Sequence, residues 1–165
     1  MADAKSELRE CKMSSESIKN RLLDAIKAAM RAGEKERLAI LRSVSAAIKQ
    51  REVDERVDLA EDDAATIDVL TKMVKQCRDS TQQYRQAGES ARAAAEEREI
   101  EIITEFLPEA ASETEINTLI EDAISTTGAS SMKEMGQVMG RIKPKLQGRA
   151  DLGEVSAQVK SRLGG

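Results

Sequence analysis

Apolar residues recur three and four positions apart from Ser17 almost to the end of the chain, a spacing typical of amphipathic α-helices. Alternating polar and apolar runs bounded by turns are missing, and only two prolines interrupt the pattern. With one Phe, one Tyr and no Trp, the core must consist of Ile, Leu, Val, Met and Ala. We therefore predict an all-α protein.

An N-terminal four-helix bundle is predicted for residues 15–108. Its first helix begins after Ser17 and ends at Gly33, and a second helix follows up to the polar segment 51–63, which we interpret as a connection. The third helix carries its apolar stripe over nearly three heptads and ends before Gly88.

The inner face of the third helix includes Cys77, which we expect to be buried as a small hydrophobic residue. Ser90 is expected to cap the fourth helix, and Pro108 ends it because the residue before a proline avoids the helical region. Residues 1–14 are interpreted as a leader outside the fold.

A smaller C-terminal three-helix bundle is predicted for residues 109–165, because three capping signals follow Pro108. Ser112, Ser131 and Asp151 each precede a glutamate three residues further on, which is the spacing of a capping box. Each bundle has a small core, and the second is expected to be the less stable one.

Several classes of function lack the residues that they need. The chain has no histidine, and Cys11 and Cys77 do not form a CxxC pair, so we expect no zinc site, no other metal and no cofactor. No catalytic residues are predicted, since helix capping explains the SxxK pattern of Ser130 and Lys133. We expect a cytoplasmic monomer without a membrane-spanning segment.

Charge is distributed unevenly although the net charge is only −4. Residues 17–51 hold nine basic residues, and residues 52–68 hold eight acidic ones. We interpret these segments as screening each other, and the alternative is a basic face that binds phosphate.

The segment 130–151 holds the features that are most suggestive of function. On a helical wheel one face carries Met132, Met135, Val138, Met139 and Ile142. We interpret this face as part of the core, and the alternative is that it lines a binding groove. Gly136 and Gly140 lie beside that face. Because a glycine destabilises a helix by about 1 kcal/mol relative to alanine, we expect another helix or a nucleic-acid backbone to approach there, with the helix preferred.

Pro144 is predicted to end this helix, which would place Lys143, Lys145 and Arg149 on a loop before Asp151. The unpaired N–H groups at the start of the last helix, together with these cations, predict an anion site. A turn in which Asp151 caps those same N–H groups is an alternative that the sequence favours equally.

The motifs FLPEAASETEI, TGASSMKEMGQVMGRIKPKLQGRAD and VSAQVKSRL, with KERLAILRSVSAAIKQREV and KQCRDSTQQYRQAG, resemble the GatB/YqeY family from about Ser17 to Leu163. This family is similar to the C-terminal tail region of GatB, a subunit of the tRNA-dependent amidotransferase. The resemblance implies a helical bundle with a small tail that contacts tRNA. It also implies a link to carbon–nitrogen ligase activity with glutamine as amide donor, an activity of the amidotransferase complex. The family motif maps onto Met135, Gly136, Met139, Gly140, Lys143, Pro144, Lys145, Gly148, Arg149, Ala150 and Asp151.

Three hypotheses follow from the residues and the resemblance. The first is a non-catalytic module that binds tRNA by shape and phosphate contacts, with the glycines 136, 140 and 148 allowing close approach and with cations at Lys133, Arg141, Lys143, Lys145 and Arg149. The second is an adaptor that docks on a synthetase or amidotransferase subunit through a methionine-lined surface. The third, an autonomous amidotransferase, is disfavoured because no catalytic machinery is found.

Overall fold

The computed structural model describes residues 16–60 and 62–164, and these ranges contain seven α-helices, one short 3-10 helix and no strand. The all-α prediction is confirmed. The predicted leader, residues 1–14, lies outside the described residues. The helices are α1 Ile18–Ala32, α2 Lys35–Glu55, α3 Asp63–Gln86, α4 Ser90–Thr104, α5 Glu113–Thr127, α6 Met135–Leu146 and α7 Leu152–Leu163, with the 3-10 helix Met132–Glu134 before α6.

The chain divides into two compact units between Phe106 and Leu107. The N-terminal unit contains α1 to α4. Ser17 caps α1, and Gly33 ends it in the left-handed conformation with φ 71°, as the sequence predicted. Inside this unit α3 and α4 form a helical hairpin. Its core is made of aliphatic side chains from all four helices, including Leu22, Leu41, Val44, Ile48, Leu70, Val74 and Ile103.

The segment 51–63 is more structured than the predicted polar connection. Helix α2 continues to Glu55, and Leu59 is only 2% exposed. The Leu59 N–H donates to the Glu52 carboxylate at 2.9 Å, and Lys19 binds the same carboxylate at 2.5 Å. The interpretation of this segment as a connection alone was wrong, because one buried leucine and one shared carboxylate fix it against α1.

The predicted screening of basic by acidic residues is confirmed for some pairs. Lys19 pairs with Glu52 and Asp58, and the hydrogen bond that Lys19 donates to the Glu52 carboxylate raises the pKa of Lys19. Arg51 pairs with Glu55 at 3.0 Å. Basic residues such as Arg31, Lys35 and Lys49 are exposed and have no acidic partner among the described residues.

Helix α4 begins at Ser90, one residue earlier than expected from Ser90 as its cap. Its N-cap is Glu89 and not Ser90, and no side chain caps it. The predicted inward position of Cys77 on α3 is confirmed, since this side chain is 8% exposed.

The C-terminal unit contains α5, α6 and α7 around a core of its own. Ser112 accepts a hydrogen bond from the Glu115 N–H, and Asp151 accepts two at the start of α7. Ser131 and Glu134 form the predicted capping box. The core comprises Ile120, Ala123, Ala129, Val138, Ile142, Leu146, Val155, Val159 and Leu163.

Within residues 16–60 and 62–164, no helix combines the length and the apolar character that crossing a bilayer requires.

Candidate nucleic-acid interface

Helix α6 has three basic residues and no acidic one. Val138, Ile142 and Leu146 are four residues apart and face the core, so the opposite side of the helix is exposed. At 100° per residue, Gly136 and Gly140 lie near the middle of this exposed side. Arg141 and Lys143 therefore flank the glycines on opposite sides. We call the surface formed by Gly136, Gly140, Arg141, Lys143 and Lys145 the α6 face.

One edge of the α6 face borders a shallow depression between α5 and α6. The depression has a volume of about 180 Å³ and is lined by Gly140, Arg141, Pro144 and Lys145 from α6 and by Leu119, Asp122 and Ala123 from α5. A small anionic group such as a phosphate fits a space of this size, and two cations line it.

The five predicted cations are not brought together as one cluster. Arg149 donates through both terminal nitrogens to Glu115, at 2.8 and 2.9 Å, and through Nε to the Glu109 carbonyl at 3.0 Å. This bidentate pair raises the pKa of Arg149. The expectation that Arg149 offers a free charge was wrong, because its guanidinium is used inside the C-terminal unit.

The remaining cations are more accessible. Lys145 lies 4.0 Å from Asp122, and both side chains are more than half exposed, so this pair is weak. Lys133, Arg141 and Lys143 are exposed and form no ion pair with a described residue. Lys133 precedes α6 in the 3-10 helix, and the other two lie on the α6 face.

Pro144 does not end the helix, contrary to the prediction. It lies inside α6, which continues to Leu146, so Lys143 and Lys145 are helical and not in a loop. A proline in a helix costs about 3 kcal/mol, mainly through one lost hydrogen bond and a steric clash with the preceding turn. Leu146 is 0% exposed, and burying a leucine contributes about 1.5–3 kcal/mol. Burial of this last turn offsets the cost of the proline.

The three predicted close-approach glycines have different roles. A Cβ atom added at Gly136 or Gly140 would meet no described atom within 4 Å apart from the surrounding turns of its own helix. The preferred expectation that another helix of this chain packs there was therefore wrong for the described residues, whereas approach by another molecule stays a prediction. Gly148 has φ 73°, so this glycine is required by the turn after α6.

The predicted anion site at the start of α7 is occupied by the protein itself. Oδ1 of Asp151 accepts hydrogen bonds from the N–H groups of Gly153, at 2.8 Å, and Glu154, at 3.3 Å. The capped turn, the alternative that the sequence left open, is the observed structure. Because Arg149 is also paired, the start of α7 has few unpaired hydrogen-bond donors or charges to bind a phosphate.

The SxxK pattern is explained by helix capping. Oε2 of Glu134 accepts hydrogen bonds from the N–H groups of Ser130, at 2.8 Å, and Ser131, at 3.1 Å. These bonds lower the pKa of Glu134. Lys133 is exposed. The two serines therefore cap the start of the helix, and they are not arranged as a serine nucleophile with a lysine base.

The predicted methionine face is mostly core. Met135 and Met139 are half-buried and pack against the core of the C-terminal unit, next to the buried Val138 and Ile142. Only Met132 is substantially exposed, at 40%. The adaptor hypothesis stays a prediction. Because Met139 packs against the core, Met139→Asp would destabilise the C-terminal unit as well as change the proposed docking surface.

Two carboxylates that compete for the predicted cations, those of Glu115 and Asp122, were not predicted from the sequence. Glu115 lies 34 residues from Arg149 in sequence, and Asp122 lies on α5 opposite Lys145. The capping spacing assigned Glu115 to a local role, and no sequence signal predicted its pairing with Arg149. Three of the five predicted cations, Arg141, Lys143 and Lys145, thus lie on the α6 face.

Fold and surface define an all-helical protein of two compact units whose smaller unit presents a basic helix face with bare glycines. The chain belongs to the YqeY family, the Yqey-like proteins, whose family model matches residues 19–163. The suspected relationship to this family is confirmed. Among proteins with curated functions, none matches the chain significantly.

Proposed function

We propose that this protein is a non-catalytic helical module that binds folded RNA of the tRNA class through the α6 face. The observation that carries the proposal is the composition of that face. Its exposed side has cations on both flanks, no acidic residue of its own, and two glycines between them.

This arrangement suits a phosphate backbone better than it suits an unpaired base. Lys and Arg neutralise phosphates and release counterions, and the glycines allow the backbone to approach the helix closely. The chain has only one Phe and one Tyr, and both lie outside the C-terminal unit, so stacking platforms for bases are absent from it. Recognition by shape and phosphate contacts is the mode that remains.

Resemblance to the GatB tail favours tRNA among folded RNAs. The pairing of Arg149 with Glu115 moves the proposed surface away from the start of α7 and onto α6. Arg141, Lys143, Lys145 and Lys133 are the proposed contacts, and Arg149 has the role of fastening the turn after α6 to α5.

The proposal is tested by measuring binding of labelled tRNA to the full chain over a range of salt concentrations. The logarithm of the association constant should fall linearly with the logarithm of salt concentration. The double variant Arg141→Ala/Lys143→Ala removes one cation from each flank of the α6 face. We expect it to reduce that slope by about 2 at most, and to weaken binding at low salt.

The matched control is Lys72→Ala/Lys75→Ala, which makes the same change in net charge on exposed residues of α3. It should leave the slope unchanged. The proposal is rejected if both double variants bind tRNA as the unmodified chain does, or if both lose the same slope, because the second result would report only net charge.

A further inference from the structure

We propose that Cys77, Glu96 and Glu99 form a binding site for a divalent transition-metal cation of the zinc class. The thiol sulfur and one oxygen of each carboxylate all lie within 4.8 Å of one another. Sγ of Cys77 is 3.6 Å from Oε2 of Glu99. This site lies in the N-terminal unit and is independent of the α6 face.

The distance between the Cys77 sulfur and a Glu99 oxygen is close to that expected around a coordinated ion. With Zn–S near 2.3 Å and Zn–O near 2.0–2.2 Å, tetrahedral geometry puts sulfur and oxygen about 3.5 Å apart. The Cys77 thiol donates a hydrogen bond to Oε2 of Glu99 at 3.6 Å, so an ion that replaces the thiol proton needs little movement of these two donors. Glu96 is half-buried, and one of its carboxylate oxygens lies within 4.8 Å of the other two donor atoms.

The scaffold holds the three donors on two packed helices. Cys77 is on α3, and Glu96 and Glu99 are three residues apart on α4, so both carboxylates project from one side of the helix. Helical bundles commonly build metal sites in this way, from side chains on facing helices. Cys77 is buried and the two glutamates are half-buried, so solvent reaches the carboxylates.

No described cation forms an ion pair with Glu96 or Glu99. Arg85 pairs with Glu97, and Arg98 pairs with Glu36 at 3.5 Å. Two like charges that converge on a buried thiol are unfavourable without a counter-charge. A divalent cation supplies that charge. The mixture of one sulfur and two oxygens favours a borderline ion such as Zn²⁺ over Ca²⁺ or Mg²⁺, which take oxygen ligands only.

Binding is a ligand exchange with a defined proton balance. The Cys77 S–H bond breaks, its proton goes to the solvent, and the sulfur forms a bond to the metal. Carboxylate oxygens of Glu96 and Glu99 supply two further bonds, and water completes the coordination. The bound ion would then link α3 to α4 and stabilise the N-terminal unit.

The test is a titration of Co²⁺ into the full, reduced chain carrying Cys11→Ser, which leaves Cys77 as the single thiol. We expect one Co²⁺ per chain and a near-ultraviolet thiolate-to-Co²⁺ charge-transfer band, which Zn²⁺ should displace. Glu96→Gln/Glu99→Gln should weaken the apparent affinity at least about 10-fold. Both glutamates are partly exposed, so this variant is expected to fold.

The matched control is Glu101→Gln, an exposed glutamate of α4, which should leave the titration unchanged. Zn²⁺ should also raise the midpoint of thermal unfolding of the Cys11→Ser chain. This rise should be reduced in the Glu96→Gln/Glu99→Gln variant. The proposal is overturned if no charge-transfer band forms, or if the double glutamine variant binds Co²⁺ as tightly as the control.

Discussion

At the scale of single residues, Glu134 shows how a local sequence signal becomes structure. Its carboxylate binds the backbone N–H groups of Ser130 and Ser131 and so closes the capping box before α6. All partners lie within four residues, so the spacing in the sequence was sufficient to predict the box. The hydrogen bonds favour the ionised carboxylate and lower the pKa of Glu134.

This lowered pKa predicts a pH dependence of stability. The pKa of Glu134 in the folded chain is below that in the unfolded chain. Its contribution to the stability of the fold is therefore complete at pH values above the ordinary pKa range of glutamate. It is lost as the pH falls through the folded pKa. We expect Glu134→Gln to lower stability near neutral pH and to flatten the loss on acidification, measured as the midpoint of urea unfolding from pH 7 downward. Glu121→Gln on α5, an exposed glutamate, should keep the steeper profile. Identical profiles for both variants would contradict this role of Glu134.

At the scale of elements, α6 combines a stable inner side with an outer side that is not optimised for stability. Val138, Ile142 and Leu146 are buried on the inner side. The outer side has Gly140 in the middle of the helix and Pro144 in its last turn, and both residues disfavour helix formation. Gly140 is not needed for packing within the described chain, since a Cβ there would meet no described atom beyond its own stretch of helix within 4 Å. Such a cost is consistent with a surface that serves binding.

The variant Gly140→Ala separates stability from binding. It should stabilise the C-terminal unit by about 1 kcal/mol, because alanine favours the helix and its Cβ has free space. If the RNA backbone lies against this glycine, tRNA affinity should fall in the same variant. Thermal unfolding and tRNA binding measured on one preparation check both outcomes.

Gly153→Ala serves as the contrast for this variant. A Cβ at Gly153 would lie 3.0 Å from Oδ1 of Asp151, the atom that caps α7, so we expect no gain in stability there. Gly140→Ala with higher stability and unchanged tRNA affinity would show that nothing approaches this glycine in the complex.

At the scale of the whole molecule, each compact unit has its own buried core. A substitution in one core should therefore act mainly within that unit. Ile142 is 1% exposed, so Ile142→Ala should destabilise the C-terminal unit by about 2–5 kcal/mol. Hydrogen exchange should then show weaker amide protection in residues 107–164, with protection around Leu41 in α2 retained.

The reciprocal variant Leu41→Ala removes a side chain that is 0% exposed in the N-terminal unit. It should reduce protection in the N-terminal helices and leave that of α6 intact. Equal loss of protection in both units for either variant would show that the chain unfolds as a single cooperative structure.

Features that depend on neighbouring residues could be predicted from the sequence. Helical periodicity predicted the fold class and the burial of Cys77, and cap residues predicted the starts of α1, α5 and α7. These features depend on hydrogen bonds and on side-chain spacing within about one turn, which the sequence states directly. The motifs likewise indicated the YqeY family, which the match over residues 19–163 confirms.

Other features required the tertiary structure because they depend on residues far apart in the chain. Arg149 meets Glu115 across 34 positions, and this pairing removes it from the predicted cation set. Pro144 is tolerated since Leu146 is buried by other helices, and Gly140 is bare because none of the described helices covers it. Cys77, Glu96 and Glu99 also converge only through the packing of α3 on α4. Thus the sequence by itself determined which segments are helices, since helix formation is local. Only the packing of those helices decided which charges are free, because long-range contacts choose the partner of each side chain.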